Sequence, residues 1–160
     1  MKFIAALAFA FVAADKSDFP TNLSGHAHCS LSTDFVGMDC DSVYNAVNSE
    51  VAKWGSSKTS PAGGLYRLYE ESTDDYIWTT RLTRDEKYVD DQLFEFEPIN
   101  GGCHVAGQSR SQSPSYYDYD VNYCNMWNVY NGVGGFSNLH ISSCDFYPSD
   151  SEIETTCARY

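Results

Sequence analysis

The chain is short of positive charge. Ten Lys and Arg stand against 22 Asp and Glu in 160 residues, a formal net charge of −12. That balance repels nucleic acid and anionic lipid at long range, so neither is an expected partner. Long apolar runs are missing too. The longest, Phe3 to Ala13 (FIAALAFAFVA), falls well short of the ~20 residues a helix needs to span a bilayer, and no later segment predicts a membrane span. Common signatures of chemistry are absent as well: no G-x-S-x-G elbow, no H-E-x-x-H helix, no P-loop and no dinucleotide fingerprint. Those absences remove the familiar routes to serine hydrolysis, zinc proteolysis and nucleotide chemistry, and no cofactor is expected.

What is present begins with an export pattern. Met1-Lys2 is a short positive start, Phe3–Ala13 an apolar stretch, and Val12-Ala13-Ala14 a run of small residues before the polar Asp15-Lys16-Ser17-Asp18. This order predicts a signal peptide over residues 1–14 and a secreted, extracellular destination, or the lumen of an oxidising organelle. The remainder has the length of one domain. With 12 Tyr, 9 Phe and 3 Trp it has the material for a core. Six cysteines, Cys29, Cys40, Cys103, Cys124, Cys144 and Cys157, are expected to form three disulfides in such a compartment. The short intervals suggest Cys29 with Cys40 and Cys144 with Cys157, which leaves Cys103 for Cys124. Asn22-Leu23-Ser24 is a candidate glycosylation sequon.

Periodicity predicts an irregular arm over 15–38 and a single α+β domain over 39–160. A helix is expected from Cys40 to Trp54, capped by Asp39 or Asp41, with Val43, Val47, Val51 and Trp54 on one stripe. Strands are predicted at 65–70, 76–83, 92–97 and 103–109, with Asn100-Gly101-Gly102 as a tight turn. A second helix is predicted around Val121–Tyr130 and a last strand near 139–144. The expected architecture is an antiparallel meander of about four to five strands, packed by two helices and braced by disulfides.

One constellation stands out. Tyr88-Val89-Asp90-Asp91 opens an amphipathic strand, Ser109-Arg110 closes the next, and Asp118-Tyr119-Asp120-Val121-Asn122 places a cap-type residue at the second helix. An inward-turned acid there needs a partner, and the Arg110 guanidinium can bind a carboxylate through two parallel hydrogen bonds. In this order the residues resemble an uncharacterised family of bacterial exported and plastid-lumenal proteins, known as domain of unknown function 1499. Its pattern is a helix, a strand reading F-V-D-D-x-x-F, a hairpin ending S-R, and a D-x-G-x-N segment opening a helix. The matches are Tyr88–Asp91 with Phe94, Ser109-Arg110, and Asp118, Val121 and Asn122, within a stretch from about Asp41 to Tyr130. Three departures accompany them. The loop after Arg110, filled by Ser111–Ser115, is about three residues longer, Asp120 stands for the family's Gly, and Tyr123 for its basic residue. The six cysteines are an addition. The family has no settled activity, so the resemblance implies a fold and motif positions rather than a reaction.

Asp90, Asp91, Arg110, Asp118 and Asn122 therefore read either as a polar network pinning strands to helix or as a ligand pocket at the sheet–helix seam. Tyr117, in the run Tyr116-Tyr117-Asp118-Tyr119, adds a rigid amphipathic contact surface. A catalytic acid pair is a third reading, with no second signal behind it. His26, His28, Cys29, Cys40, His104 and His140 are metal-type residues, but oxidised cysteines cannot ligate and no metal is expected. Asp118-x-Asp120-x-Asn122 has calcium-loop spacing, yet Tyr123 and Val129 occupy the places of the required Gly and Glu. The leading functional expectation is a secreted, non-enzymatic domain that binds a small ligand or protein partner. A hydrolytic enzyme using Asp90 or Asp91 with Arg110, and a structural extracellular component, are the rivals.

Overall fold

A computed structural model of the protein describes residues 15–20, 24–72 and 75–160. The predicted signal segment and Asn22 lie outside the described residues. Six strands form one sheet: β1 (His28–Val36), β2 (Leu65–Ser72), β3 (Tyr76–Leu82), β4 (Val89–Ile99), β5 (Gly102–Ser111) and β6 (Phe136–Cys144). Their order is β2-β3-β4-β5-β1-β6, with every neighbouring pair antiparallel. Three helices complete the fold: α1 (Cys40–Lys53), α2 (Val121–Val133) and the short α3 (Ile153–Cys157).

Local chemistry accounts for the predicted elements. Asp39 caps α1 by accepting from the Ser42 amide at 2.8 Å, and Val43, Val47, Val51 and Trp54 are all buried. Asn100-Gly101 turns β4 into β5, with Gly101 at φ +80°, where a side chain would be strained. Alternation along β4 turns Phe94 and Phe96 toward the helices, where they join Leu31, Phe35, Ile77, Val105, Met126 and Tyr130 in the main core. The opposite face carries a smaller cluster of Phe19, Tyr76, Trp78 and Leu93. Phe19 reaches it from the N-terminal segment, its ring edge-on to Trp78 at 5.2 Å.

Two expectations change. Residues 28–36, read as part of an irregular arm, form a central strand between β5 and β6. The alternation is present in the sequence: Cys29, Leu31, Thr33 and Phe35 are buried, with His28, Ser30, Ser32 and Asp34 between them. It is masked because the inward set includes Cys and Thr and the outward set is rich in Ser. The sheet accordingly has six strands rather than four or five.

All three disulfides form, with a different pairing. Cys29 bonds Cys144, Cys40 bonds Cys103, and Cys124 bonds Cys157. Closeness in sequence is the wrong guide here, because β1 carries the chain away from Cys29 before Cys40 begins α1. Cys29 and Cys144 are direct partners across β1 and β6, with Cα atoms 3.9 Å apart. Disulfides persist in oxidising surroundings. No helix among the described residues is long and apolar enough to cross a membrane.

Candidate functional site

The sheet sorts the sequence-predicted residues by face. In β4, Asp90 lies on the helix side with Phe94 and Phe96, whereas Asp91 lies on the other side with Leu93. Adjacent acids on a strand must separate in this way. The pair therefore does not converge on one point.

On the helix side a polar network forms, complete around Asn122 and Asp118 but with the buried Asn125 Oδ1 left without a partner. Asp90 Oδ2 accepts from Asn125 Nδ2 at 2.9 Å, and the same amide reaches Ser109 Oγ at 3.2 Å. Ser109 Oγ donates to Asn122 Oδ1 at 2.7 Å. Asn122 Nδ2 lies 2.8 Å from Asp118 Oδ2, 3.1 Å from Ser111 Oγ and 3.1 Å from the Ala27 carbonyl oxygen. Asn122 is fully buried and ties β5 and the residue preceding β1 to α2. Burial pushes the Asp90 and Asp118 carboxyls above the ordinary carboxylate range. For Asp90 the hydrogen bond from Asn125 and the Arg81 charge oppose that rise; for Asp118 the Asn122 donors do.

Asp118 is also the true cap of α2. Its carboxylate accepts from the Asn122 amide at 2.9 Å and from the Asp120 amide at 3.2 Å. Asp120, next to the helix, makes no side-chain capping bond and sits at φ 70°. Glycine reaches that conformation without penalty, and glycine is what the resembled motif carries there. The calcium-like spacing is thus used to start a helix.

On the other face, Asp91 accepts from Trp78 Nε1 at 3.2 Å and from Gln112 Nε2 at 3.0 Å. Arg110 is its direct cross-strand partner, yet no ion pair joins them among the described residues. Arg110 instead places Nη2 at 3.5 Å from His26 Nδ1, and its buried Nε lacks a partner. The expected two-bond pairing does not form. His28 pairs with Asp145 at 3.0 Å and His104 with Asp34 at 2.7 Å, so these histidines are distributed along the sheet.

Two adjoining clefts open at the end of the sheet beside the tyrosine loop. The first, about 320 Å³, has Asp90, Ser111 and Asp118 among its lining residues, with Tyr88, Tyr117 and Tyr119. Tyr117 is 58% exposed and packs edge-on against Tyr119 and Phe146, each at 4.5 Å. The second cleft, about 760 Å³, shares Thr83, Tyr88, Tyr119 and Val121 with the first. It adds three arginines, Arg81, Arg84 and Arg159, together with Asp85 and Tyr160. Of the predicted residues, the structure thus brings Asp90, Tyr117 and Asp118 to an open surface, backed by Asn122. Asp91 and Arg110 do not line it.

Arg81, Arg84, Arg159, Ser111 and Asn125 escape a motif-based reading, and Tyr88, though it opens the motif, is not among the candidate site residues. Arg81 did leave a signal: it continues the inward register of Ile77 and Thr79 on β3, and a charged residue on an apolar face demands a reason.

No family model matches the chain, and no curated protein does. Three solved chains show similarity. One is the protein CV1439 of Chromobacterium violaceum, 12% identical, with a TM-score of 0.42 over 67% of this chain and 91% of that one. A likeness that loose adds nothing to what the chain's own geometry says.

Proposed function

We propose that this protein is a secreted, non-enzymatic binding domain, a divergent relative of the lumenal family it resembles, and that it holds a small ligand beside the tyrosine loop. The observation that carries this reading is the first cleft. Buried polar groups on Asp90, Ser111 and Asp118 line it, and the rigid, amphipathic rings of Tyr88 and Tyr119 flank it. Concave sites with few fixed polar groups and aromatic walls are how small ligands are held.

The hydrolytic alternative has less support. Asp90 and Asp91 point to opposite faces of the sheet, and Arg110 accompanies neither carboxylate as an ion-pair partner. Among the described residues, the side-chain hydrogen bonds to Asp91 come from Trp78 and Gln112, neither of which is an acid or a base. A purely structural role would leave the tyrosine-lined clefts without purpose. Export to the medium or to a lumen accords with the three disulfides.

Native mass spectrometry of the protein purified without denaturation from the medium of a secreting host tests the reading. The expected spectrum contains a ligand-bound species in the wild type that is lost in Tyr88→Ala. Only the bare polypeptide mass in the wild type, across independent preparations, would count against binding.

A further inference from the structure

Ten Lys and Arg serve the whole 160-residue chain, and three of them line the second cleft. Arg84 and Arg159 are exposed there, and Arg159 is held in place by Nε to the Thr155 carbonyl oxygen and Nη2 to Thr156 Oγ1, both at 3.2 Å. Arg81 differs in being 2% exposed. Its guanidinium carbon stands 5.9 Å from the Tyr66 ring centroid. Gly64 leaves it room, since a Cβ there would lie 2.6 Å from Arg81 Nε. Yet Nε and Nη1 have no hydrogen-bond partner, and no ion pair involves any of the three arginines among the described residues. Of the acids around these arginines, Asp120 acts on Arg159 through its charge without a hydrogen bond, and Asp90 and Asp85 are engaged elsewhere. Asp90 takes its hydrogen bond from Asn125, and Asp85 accepts from Thr83 Oγ1 at 2.7 Å while pairing with Lys87 at 3.1 Å.

A buried guanidinium with idle donors is costly, and charged groups taken from water are normally repaid by a counter-ion or a full set of hydrogen bonds. The charge of its cross-strand partner Asp90 and the Tyr66 ring offset part of that cost, but no hydrogen bond or ion pair among the described residues reaches Nε or Nη1. Its planar fork is shaped for carboxylate or phosphate oxygens. The overall negative charge does not forbid an anion here, because charges beyond roughly 8 Å are largely screened at physiological salt.

We propose that the second cleft is an oxyanion site in which Arg81, Arg84 and Arg159 receive the carboxylate or phosphate head of a small organic acid whose flat body lies against Tyr88 and Tyr119. This deepens the binding reading above and rests on it. The two tyrosines line both clefts, so the same ligand can extend toward Asp90 and Asp118, where a hydroxyl or amine would find acceptors.

The test is titration of the disulfide-intact protein with benzoate, phenyl phosphate, inorganic phosphate and the neutral benzamide, followed by NMR or calorimetry. Benzoate and phenyl phosphate are expected to saturate, with benzamide and inorganic phosphate at least tenfold weaker. Which aryl anion binds tighter distinguishes a carboxylate from a phosphate ligand. Arg84→Ala and Arg159→Ala, both at exposed positions, should each weaken benzoate or phenyl phosphate about tenfold with the fold intact by circular dichroism. Arg81→Met should abolish saturation. Benzamide matching benzoate, or full affinity in both exposed-arginine variants, overturns the anion assignment while leaving a small-ligand domain standing. Inorganic phosphate matching phenyl phosphate overturns the role of the tyrosines. Failure of every probe to saturate overturns the site, and native mass spectrometry then decides the wider binding reading separately.

Discussion

Two buried polar centres face the helices from the same sheet, and they are finished to different degrees. Around Asp118 the accounting is complete: both carboxylate oxygens accept, and Asn122 spends its amide on Asp118, Ser111, Ala27 and Ser109. Around Arg81, Nε and Nη1 are buried and unpaired. The first centre ties β5 and the approach to β1 onto α2, and only spare acceptor lone pairs on Asp90 and Asp118 remain toward the first cleft. The second has unpaired donors buried in the wall of an open cleft. A closed network stabilises a fold; an open one costs stability until something fills it.

The largest effect should come from the disulfide that holds the tail carrying Arg159. Replacing Cys124 and Cys157 together by Ser removes a link between residues 33 apart, which loop entropy puts at about 3–4 kcal/mol. Urea unfolding is expected to show that loss, and benzoate affinity should fall with it as Arg159 loses its anchor. Unchanged stability would mean α3 is held by other contacts.

A smaller effect is expected from pH. The Asp90 and Asp118 carboxyls are raised in the folded state, so the native form binds protons more readily than the unfolded chain. Their burial therefore costs stability above the folded pKa values, and that cost is relieved as pH falls toward them. Asp34, Asp39 and Glu71 are lowered by hydrogen bonds, so their contribution is lost as pH falls through their folded values. Urea midpoints should rise from neutral to mildly acidic pH and then drop below roughly 4. Asp118→Asn should flatten the rising limb. An equal slope in that variant would assign the rise to general charge repulsion alone.

The smallest effect is at Asp120. Its φ of 70° favours glycine, and its carboxyl is raised by burial and by the Glu152 charge. Asp120→Gly is expected to stabilise the protein by about 0.5–1 kcal/mol, read as a higher thermal midpoint. A lower midpoint would show that Asp120 makes a contribution its geometry does not reveal.

Much of this was legible in the chain. The valine stripe of α1, the β4–β5 hairpin and the alternation of Phe94 and Phe96 depend on local pattern, and local pattern is what a sequence displays. The α+β class followed. β1 was harder, because Thr33 occupies an inward position that hydropathy does not mark as core and Cys29 was read as a disulfide partner rather than as a strand residue. The disulfide partners were not legible at all, since Cys29 meets Cys144 only through strand pairing across 115 residues. For the site, Asp90, Asp118 and Asn122 were found by their order, and they do share a network. Asp91 and Arg110 were grouped with them by sequence adjacency, which on a strand means opposite faces for Asp90 and Asp91. Arg81, Arg84 and Arg159 lie too far apart in the chain to suggest a cluster.

The contrast between the two centres is tested most directly by comparing Asn122→Ala with Arg81→Met in urea unfolding at neutral pH. Asn122→Ala removes the buried amide shared by Ser109, Ser111, the Ala27 carbonyl and Asp118, although Asp118 keeps its two backbone donors, so it is expected to lose about 3 kcal/mol. Arg81→Met replaces idle buried donors with an apolar chain of similar length, and is expected to lose less than about 1 kcal/mol or to gain. Equal large losses in both variants would show that Arg81 is already satisfied by the protein itself, and the account of an open, ligand-ready centre would be wrong.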